Sequence, residues 1–195
     1  MIKKVFVLFI CAMMMVSGCG SGDSADKQSE VNDTQEAAKD TAGSPVVQDD
    51  FHGITFQISD RWVKDTQTDE DAIYYMPADD SNEDVVIMLL YTDFSGKGVY
   101  TVYSVNDVYE KMVEGLGKTD GISNITSENV SVNGMDVTVA KYKQGSETDD
   151  FNAVQYFFAL PEQEGLLTCG YVIRSNVKDI YFDDYMAMVN SVKLP

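Results

Sequence analysis

The chain changes regime twice along its length. From Val5 to Val16 twelve apolar residues run without a break, from Gly20 to Asp50 polar residues dominate and no aromatic occurs, and from Phe51 onward apolar positions recur at strand and helix spacings. Ile54, Phe56 and Ile58 alternate with Thr55, Gln57 and Ser59, the period of a half-buried strand ending near Trp62. Ala72 to Met76 predicts a second strand, closed by Pro77 and the polar turn Asp79-Asp80-Ser81-Asn82. Val85 to Tyr91 is apolar on both faces, which belongs in the middle of a sheet covered on both sides.

Val105, Val108, Tyr109, Met112, Val113 and Leu116 fall on one helical stripe, with Ser104 and Asp107 placed as a capping pair and Gly115 and Gly117 at its end. Val130 to Val132 and Met135 to Val139 alternate across Asn133-Gly134, the residue pair of a type I′ hairpin turn. Ala153 to Leu160 and Leu166 to Ile173 predict a second hairpin, and Val177 to Val189 follows a helical period leading into Ser191-Val192-Lys193-Leu194. Hairpins force antiparallel pairing, and a strand apolar on both sides needs cover on each. The expected fold is therefore α+β, an α/β/α layered sandwich on a mostly antiparallel sheet.

The N-terminal run follows Lys3 and Lys4 and precedes Ser17 and Gly18. As a helix it would cover about 18 Å, well short of a hydrocarbon core of about 30 Å. The stretch reads as a secretory signal over residues 1–18. Val16-Ser17-Gly18-Cys19 resembles the lipobox of bacterial lipoproteins, with valine at the position usually held by leucine. That resemblance implies cleavage before Cys19, diacylglycerol on its thiol, and a cell-membrane protein facing outward. Acyl chains at about 0.8 kcal/mol per buried methylene would hold it without a spanning helix. Cys11 lies in the signal and Cys19 would be a thioether, which leaves Cys169 without a disulfide partner and reads it as a small buried hydrophobe.

Residues 19–50 lack the apolar content to offset their ordering entropy and read as a disordered tether with a reach on the order of 30 Å. Residues 51–195 then form the globular domain. With 14 basic and 32 acidic residues the chain carries a formal charge of −18, which opposes any nucleic-acid role because phosphate contacts depend on Lys and Arg. Anionic lipid should likewise repel the domain, leaving it upright on its anchor.

Phe51-His52-Gly53-Ile54-Thr55-Phe56-Gln57-Ile58-Ser59-Asp60-Arg61-Trp62 is similar to the opening of PsbP-like domains: a glycine, an alternating strand, a short turn and a tryptophan. Ser59 stands where the turn commonly has proline, and the closing Tyr185 to Leu194 resembles the end of such domains. The family includes extrinsic subunits of the photosynthetic oxygen-evolving complex, a nuclear-import factor and bacterial lipoproteins. The resemblance implies accessory binding without chemistry of its own, no cofactor and a protein partner. It transfers no binding residue.

Three chemistries can be tested on the residues. His52 is the sole imidazole, so a triad hydrolase would have to use it, and no G-x-S-x-G motif accompanies it. The acids could supply a glycosidase pair, though with this many acids some adjoin by chance. Asp79, Asp80, Glu83 and Asp84 concentrate the oxygen ligands that Ca²⁺ takes, without EF-hand spacing. Nineteen of the 21 aromatics follow residue 50, and Tyr74, Tyr75, Tyr91, Tyr100 and Tyr103 gather around the second and third strands and first helix as a candidate partner surface. Asn124-Ile125-Thr126 fits a glycosylation pattern that has little meaning in a bacterial lipoprotein. The favoured reading is a membrane-anchored, non-catalytic binding module, with cation binding and hydrolysis as alternatives.

Overall fold

A computed structural model describes residues 45–66, 68–79, 84–146 and 149–195. Strands β1 (Val46–Phe51) and β2 (Ile54–Ser59) form a two-stranded antiparallel sheet. His52 and Gly53 join them with φ of 54° and 76°, the positive values that a type I′ turn requires. A seven-stranded sheet is built from β3 (Trp62–Lys64), β4 (Ala72–Pro77), β5 (Val85–Asp93), β6 (Ile122–Val132), β7 (Met135–Ser146), β8 (Asp149–Leu160) and β9 (Gly165–Arg174). Its order is β3-β4-β5-β9-β8-β7-β6, and every ladder is antiparallel. Helices α1 (Val99–Val102) and α2 (Val105–Gly117) lie between β5 and β6, a 3-10 turn (Pro161–Gln163) joins β8 to β9, and α3 (Phe182–Val189) follows β9. The fold is α+β.

The doubly apolar β5 lies inside the sheet beside β9, which is buried along almost its whole length. Between them Gly170 leaves room for Met88: a Cβ on Gly170 would stand 2.6 Å from Met88 Cε. One face of the sheet packs Ile87, Leu89, Cys169 and Tyr171 against the β1–β2 hairpin and α3. The other face packs Ala140, Phe157 and Leu166 against Val108 and Tyr109 of α2. Apolar burial holds the hairpin and α3 down. Phe56, Tyr185 and Met188 are essentially inaccessible, worth about 1.5–3 kcal/mol each, against about 0.5–1.5 kcal/mol for a backbone hydrogen bond.

The caps explain the helix starts. Ser104 Oγ accepts from the Asp107 amide at 3.2 Å while the Ser104 amide donates to Asp107 Oδ2 at 2.8 Å, the reciprocal box expected from the sequence. The terminal helix begins later than its periodicity predicts, at Phe182 rather than Val177. Asp179 Oδ1 accepts from the Tyr181 and Phe182 amides at 3.1 and 3.0 Å, so the carboxylate takes the first N–H groups and sets the start.

Three expectations are corrected. Val46–Asp50, read as the end of the tether, is strand: β1 is held by its ladder to β2, and its mostly exposed side chains give no apolar alternation to detect. The first strand does not run on to Trp62, because the chain turns at Asp60-Arg61 and enters the second sheet as β3. The Asn133-Gly134 hairpin is correct, with φ of 53° and 77°, but its first strand starts at Ile122 rather than Val130. β6 is an edge strand whose exposed polar residues hide its period, and its register shifts between Ser123 and Thr126 where Asn124 has φ of 54°.

Candidate binding site

The five tyrosines do not form one surface. Successive strand residues point to opposite faces, so Tyr74 joins the cluster under the second face while Tyr75 is buried in the first, 2% exposed. Tyr75 donates to Asp49 Oδ2 at 2.5 Å, and burial followed by that carboxylate raises its phenol. Tyr91 lies under the His52 ring, stacked at 4.0 Å between centroids. The Tyr100 hydroxyl donates to the Gly165 carbonyl at 2.6 Å, and burial first pushes its pKa up to about 12. Tyr103 sits 4.7 Å beneath Lys111 Nζ. The strongly exposed large apolar residues among those described are Val46, Val47, Val63, Val102 and Ile180, and none is aromatic.

Of the acidic-loop residues, Asp80 and Glu83 lie outside the described residues, as does Cys19. The two that are described serve the fold. Asp79 Oδ1 accepts from the Tyr181 hydroxyl at 2.9 Å, and Asp84 Oδ1 receives Arg174 Nε at 2.7 Å. Among the described residues no three His, Cys, Asp or Glu side chains come together as a metal site. His52 Nε2 is 2.8 Å from the Glu70 carbonyl and 3.7 Å from Asp71 Oδ1, so its contacts hold a turn and present no nucleophile. Cys169 is wholly buried, and burial pushes its thiol well up, away from the thiolate that reacts.

A site the sequence reading missed lies where the C-terminal segment crosses β2. Thr55 and Lys193 exchange backbone hydrogen bonds of 3.1 and 2.8 Å, and Ser191 Oγ accepts from the Gln57 amide at 2.7 Å while donating to the Met188 carbonyl at 2.7 Å. Across from them the Asn133 amide, lifted by its turn, donates to the Asn190 and Val192 carbonyls at 2.7 and 3.2 Å. These ties hold open a concavity of about 710 Å³, within the range of ligand sites.

Its wall is made of Gln48, Gln57, Asn133, Asn190 and Lys193, with Met135 and Leu194 supplying apolar surface. None of the described residues that line it is a carboxylate, in a chain with 32. The side chains of Gln48, Gln57 and Lys193 have no hydrogen-bond or ion-pair partner among the described residues. The only sequence trace of the site is the Asn-Gly turn, because the rest comes from residues 48–57, 133–135 and 187–194, which only the fold joins. A second, smaller hollow of about 260 Å³ lies between β8, β9 and Phe182, around the bond from the Tyr171 hydroxyl to Asp179 Oδ1 at 2.7 Å.

No helix among the described residues is long and apolar enough to cross a membrane. No family model matches the chain, and no curated protein matches its sequence. Solved structures do. The Saccharomyces cerevisiae Ran-binding protein Mog1p is similar at 10% identity and TM-score 0.54 over 77% of this chain and 96% of its own. LpqN of Mycobacterium tuberculosis, described as involved in cell envelope biogenesis, is similar at 13% identity and TM-score 0.53 over 77% of this chain and 86% of its own. A Bacteroides thetaiotaomicron protein matches at 10% identity and TM-score 0.47, with this chain covering 45% of it. At these identities the likeness to Mog1p and LpqN is one of fold.

Proposed function

We propose that this chain is an accessory binding module held to the outer side of the cell membrane by lipid on Cys19, with residues 19–45 as tether and the described fold as the part that meets a protein partner. The observation that carries the reading is the concavity beside Lys193: the side chains of Gln48, Gln57 and Lys193 stand without partners among the described residues around a hollow bounded by backbone hydrogen bonds. Catalysis needs a nucleophile beside a base, or a paired acid and base, at the reacting atom. Among the described residues the concavity lining holds no carboxylate, histidine or cysteine, and Ser191 already spends its hydroxyl on backbone groups. Lys193 stands there without a second acid or base beside it among the described lining residues, an arrangement that suits holding a ligand.

The fold supports the same reading by analogy. Mog1p is described as Ran-binding and LpqN as involved in cell envelope biogenesis, one a protein-binding role and the other an envelope role. Anchorage rests on the lipobox-like Val16-Ser17-Gly18-Cys19.

Two experiments test the proposal. Cys19→Ala should move the protein from the membrane fraction to the soluble fraction or medium, and continued sedimentation with membranes refutes the anchor. A photo-crosslinking amino acid at Gln57 should give a discrete adduct in cells, while one at Lys118, a lysine on the α2 side of the sheet, should give none. Equal adducts at both positions, or none at either, count against a partner at the concavity.

A further inference from the structure

The accessory-module reading leaves the chemistry of the partner open, and the lining of the concavity narrows it. Lys193 is the one charged side chain among the described residues that line it. The Lys193 main chain is fixed through both its N–H and C=O to Thr55, so only the exposed side chain can adjust. Its ammonium has no carboxylate partner among the described residues, which is also true of Lys97, Lys111 and Lys178, but of these four Lys193 alone lines the concavity. A cation without a partner, in a hollow whose described lining residues include no carboxylate, leaves a place for one negative charge.

The remaining groups select among anionic ligands. Gln48 and Gln57 stand opposite each other in the β1–β2 ladder and point out from the hairpin, away from the buried Phe56 and Ile58. Each carboxamide offers both donors and an acceptor, the complement of a main-chain amide. Saccharide sites take sugar faces on exposed aromatic rings, and the one ring in this lining, Phe56, is 1% exposed. The strongly acidic body also repels runs of negative charge at long range.

We infer that the concavity between β2, the Asn133-Gly134 turn and the C-terminal segment receives an extended peptide segment of the partner, its main chain on Gln48 and Gln57 and a single Asp, Glu or terminal carboxylate on Lys193. This rests on the accessory-module reading and adds the recognition chemistry to it.

The test uses random dodecapeptides displayed on phage, selected against the detergent-solubilised full chain. The enriched sequences are then synthesised and titrated calorimetrically. Lys193 is exposed, so Lys193→Glu and Lys193→Arg should both fold, which circular dichroism checks. Selected peptides should share one carboxylate, and their affinity should fall about tenfold on Lys193→Glu and by a similar factor when the carboxylate is amidated, with Lys193→Arg close to wild type. Equal affinity for wild type and Lys193→Glu overturns the site but leaves the accessory-module reading standing. A basic consensus or the absence of any enriched peptide overturns the peptide assignment.

Discussion

The Tyr75 hydroxyl donates to Asp49 Oδ2 at 2.5 Å, and Lys64 Nζ reaches the same oxygen at 3.1 Å, so one carboxylate on β1 ties the small sheet to β3 and β4 of the large one. Burial alone would raise the Asp49 carboxyl. The hydrogen bonds from Tyr75, the Asp50 amide and Lys64, with the charge of Lys64, outweigh burial and hold it below the usual carboxylate value. A carboxyl lowered in the folded state stabilises the fold above its unfolded pKa and loses that contribution as pH falls through the folded one. The wild type should therefore exceed Asp49→Asn in stability by about 1 kcal/mol at pH 7, and the margin should close as the pH drops below about 4. Urea denaturation of both proteins between pH 7 and pH 2.5 measures it, and a margin independent of pH would contradict the mechanism.

The same contact can be isolated by a double-mutant cycle. Tyr75→Phe removes the hydroxyl, Asp49→Ala removes the acceptor, and the pair together should be less harmful than the sum of the two by about 1 kcal/mol. Additive effects would mean that Tyr75 acts through its buried ring alone.

Gly170 and Met88 should be coupled through volume. Gly170→Ala brings a methyl within 2.6 Å of Met88 Cε and 2.9 Å of its Cγ. The terminal methyl can swing aside but the Cγ cannot, so the substitution should cost about 1–3 kcal/mol. Met88→Ala should cost about 2–5 kcal/mol by opening a cavity. The double variant should be more stable than additivity predicts, since the new methyl fills part of the space the methionine leaves. Thermal unfolding of the four proteins gives the coupling, and strict additivity would remove the steric explanation.

Cys169 should behave as a probe of unfolding. It is wholly inaccessible, and the Tyr185 hydroxyl bonds to its backbone carbonyl at 2.9 Å beneath α3. Iodoacetamide labelling read by peptide mapping should leave Cys169 unmodified in native protein at pH 8 and modify it fully in denaturant. Labelling at the unfolded rate under native conditions would mean that α3 lifts off the sheet.

Sequence patterning reached the elements whose side chains divide between core and solvent. The stripe of Val105, Val108 and Tyr109, the two-sided β5 and the Asn133-Gly134 turn all stand where the pattern puts them. Elements defined by backbone pairing escaped it, since β1 and β6 are edge strands whose mostly exposed side chains show no apolar alternation. The candidate tyrosines are dispersed for a related reason: nearness along a strand is not nearness on a surface, and Tyr74 and Tyr75 lie on opposite faces of the sheet. The concavity beside Lys193 could not be read from sequence, because it is assembled from three distant segments and its signal is what the lining lacks.

Asn133 has two roles that substitution can separate. Its φ of 53° suits the I′ turn, and its side-chain amide clamps the Asn190 and Val192 carbonyls, which positions Lys193 against Thr55. Asn133→Gly keeps the backbone conformation available and deletes the clamp, so it should cost about 1 kcal/mol. Asn133→Asp keeps size and turn preference but sets carboxylate oxygens against two carbonyls, and should cost more, about 1–3 kcal/mol. Hydrogen exchange should locate the damage in both variants: the Thr55 and Lys193 amides should lose protection while those in the β5–β9 ladder keep it. If Asn133→Gly were as stable as wild type, the turn alone would account for asparagine at this position, and the wall of the concavity would have to be held by the Thr55–Lys193 bridge and Ser191 without it.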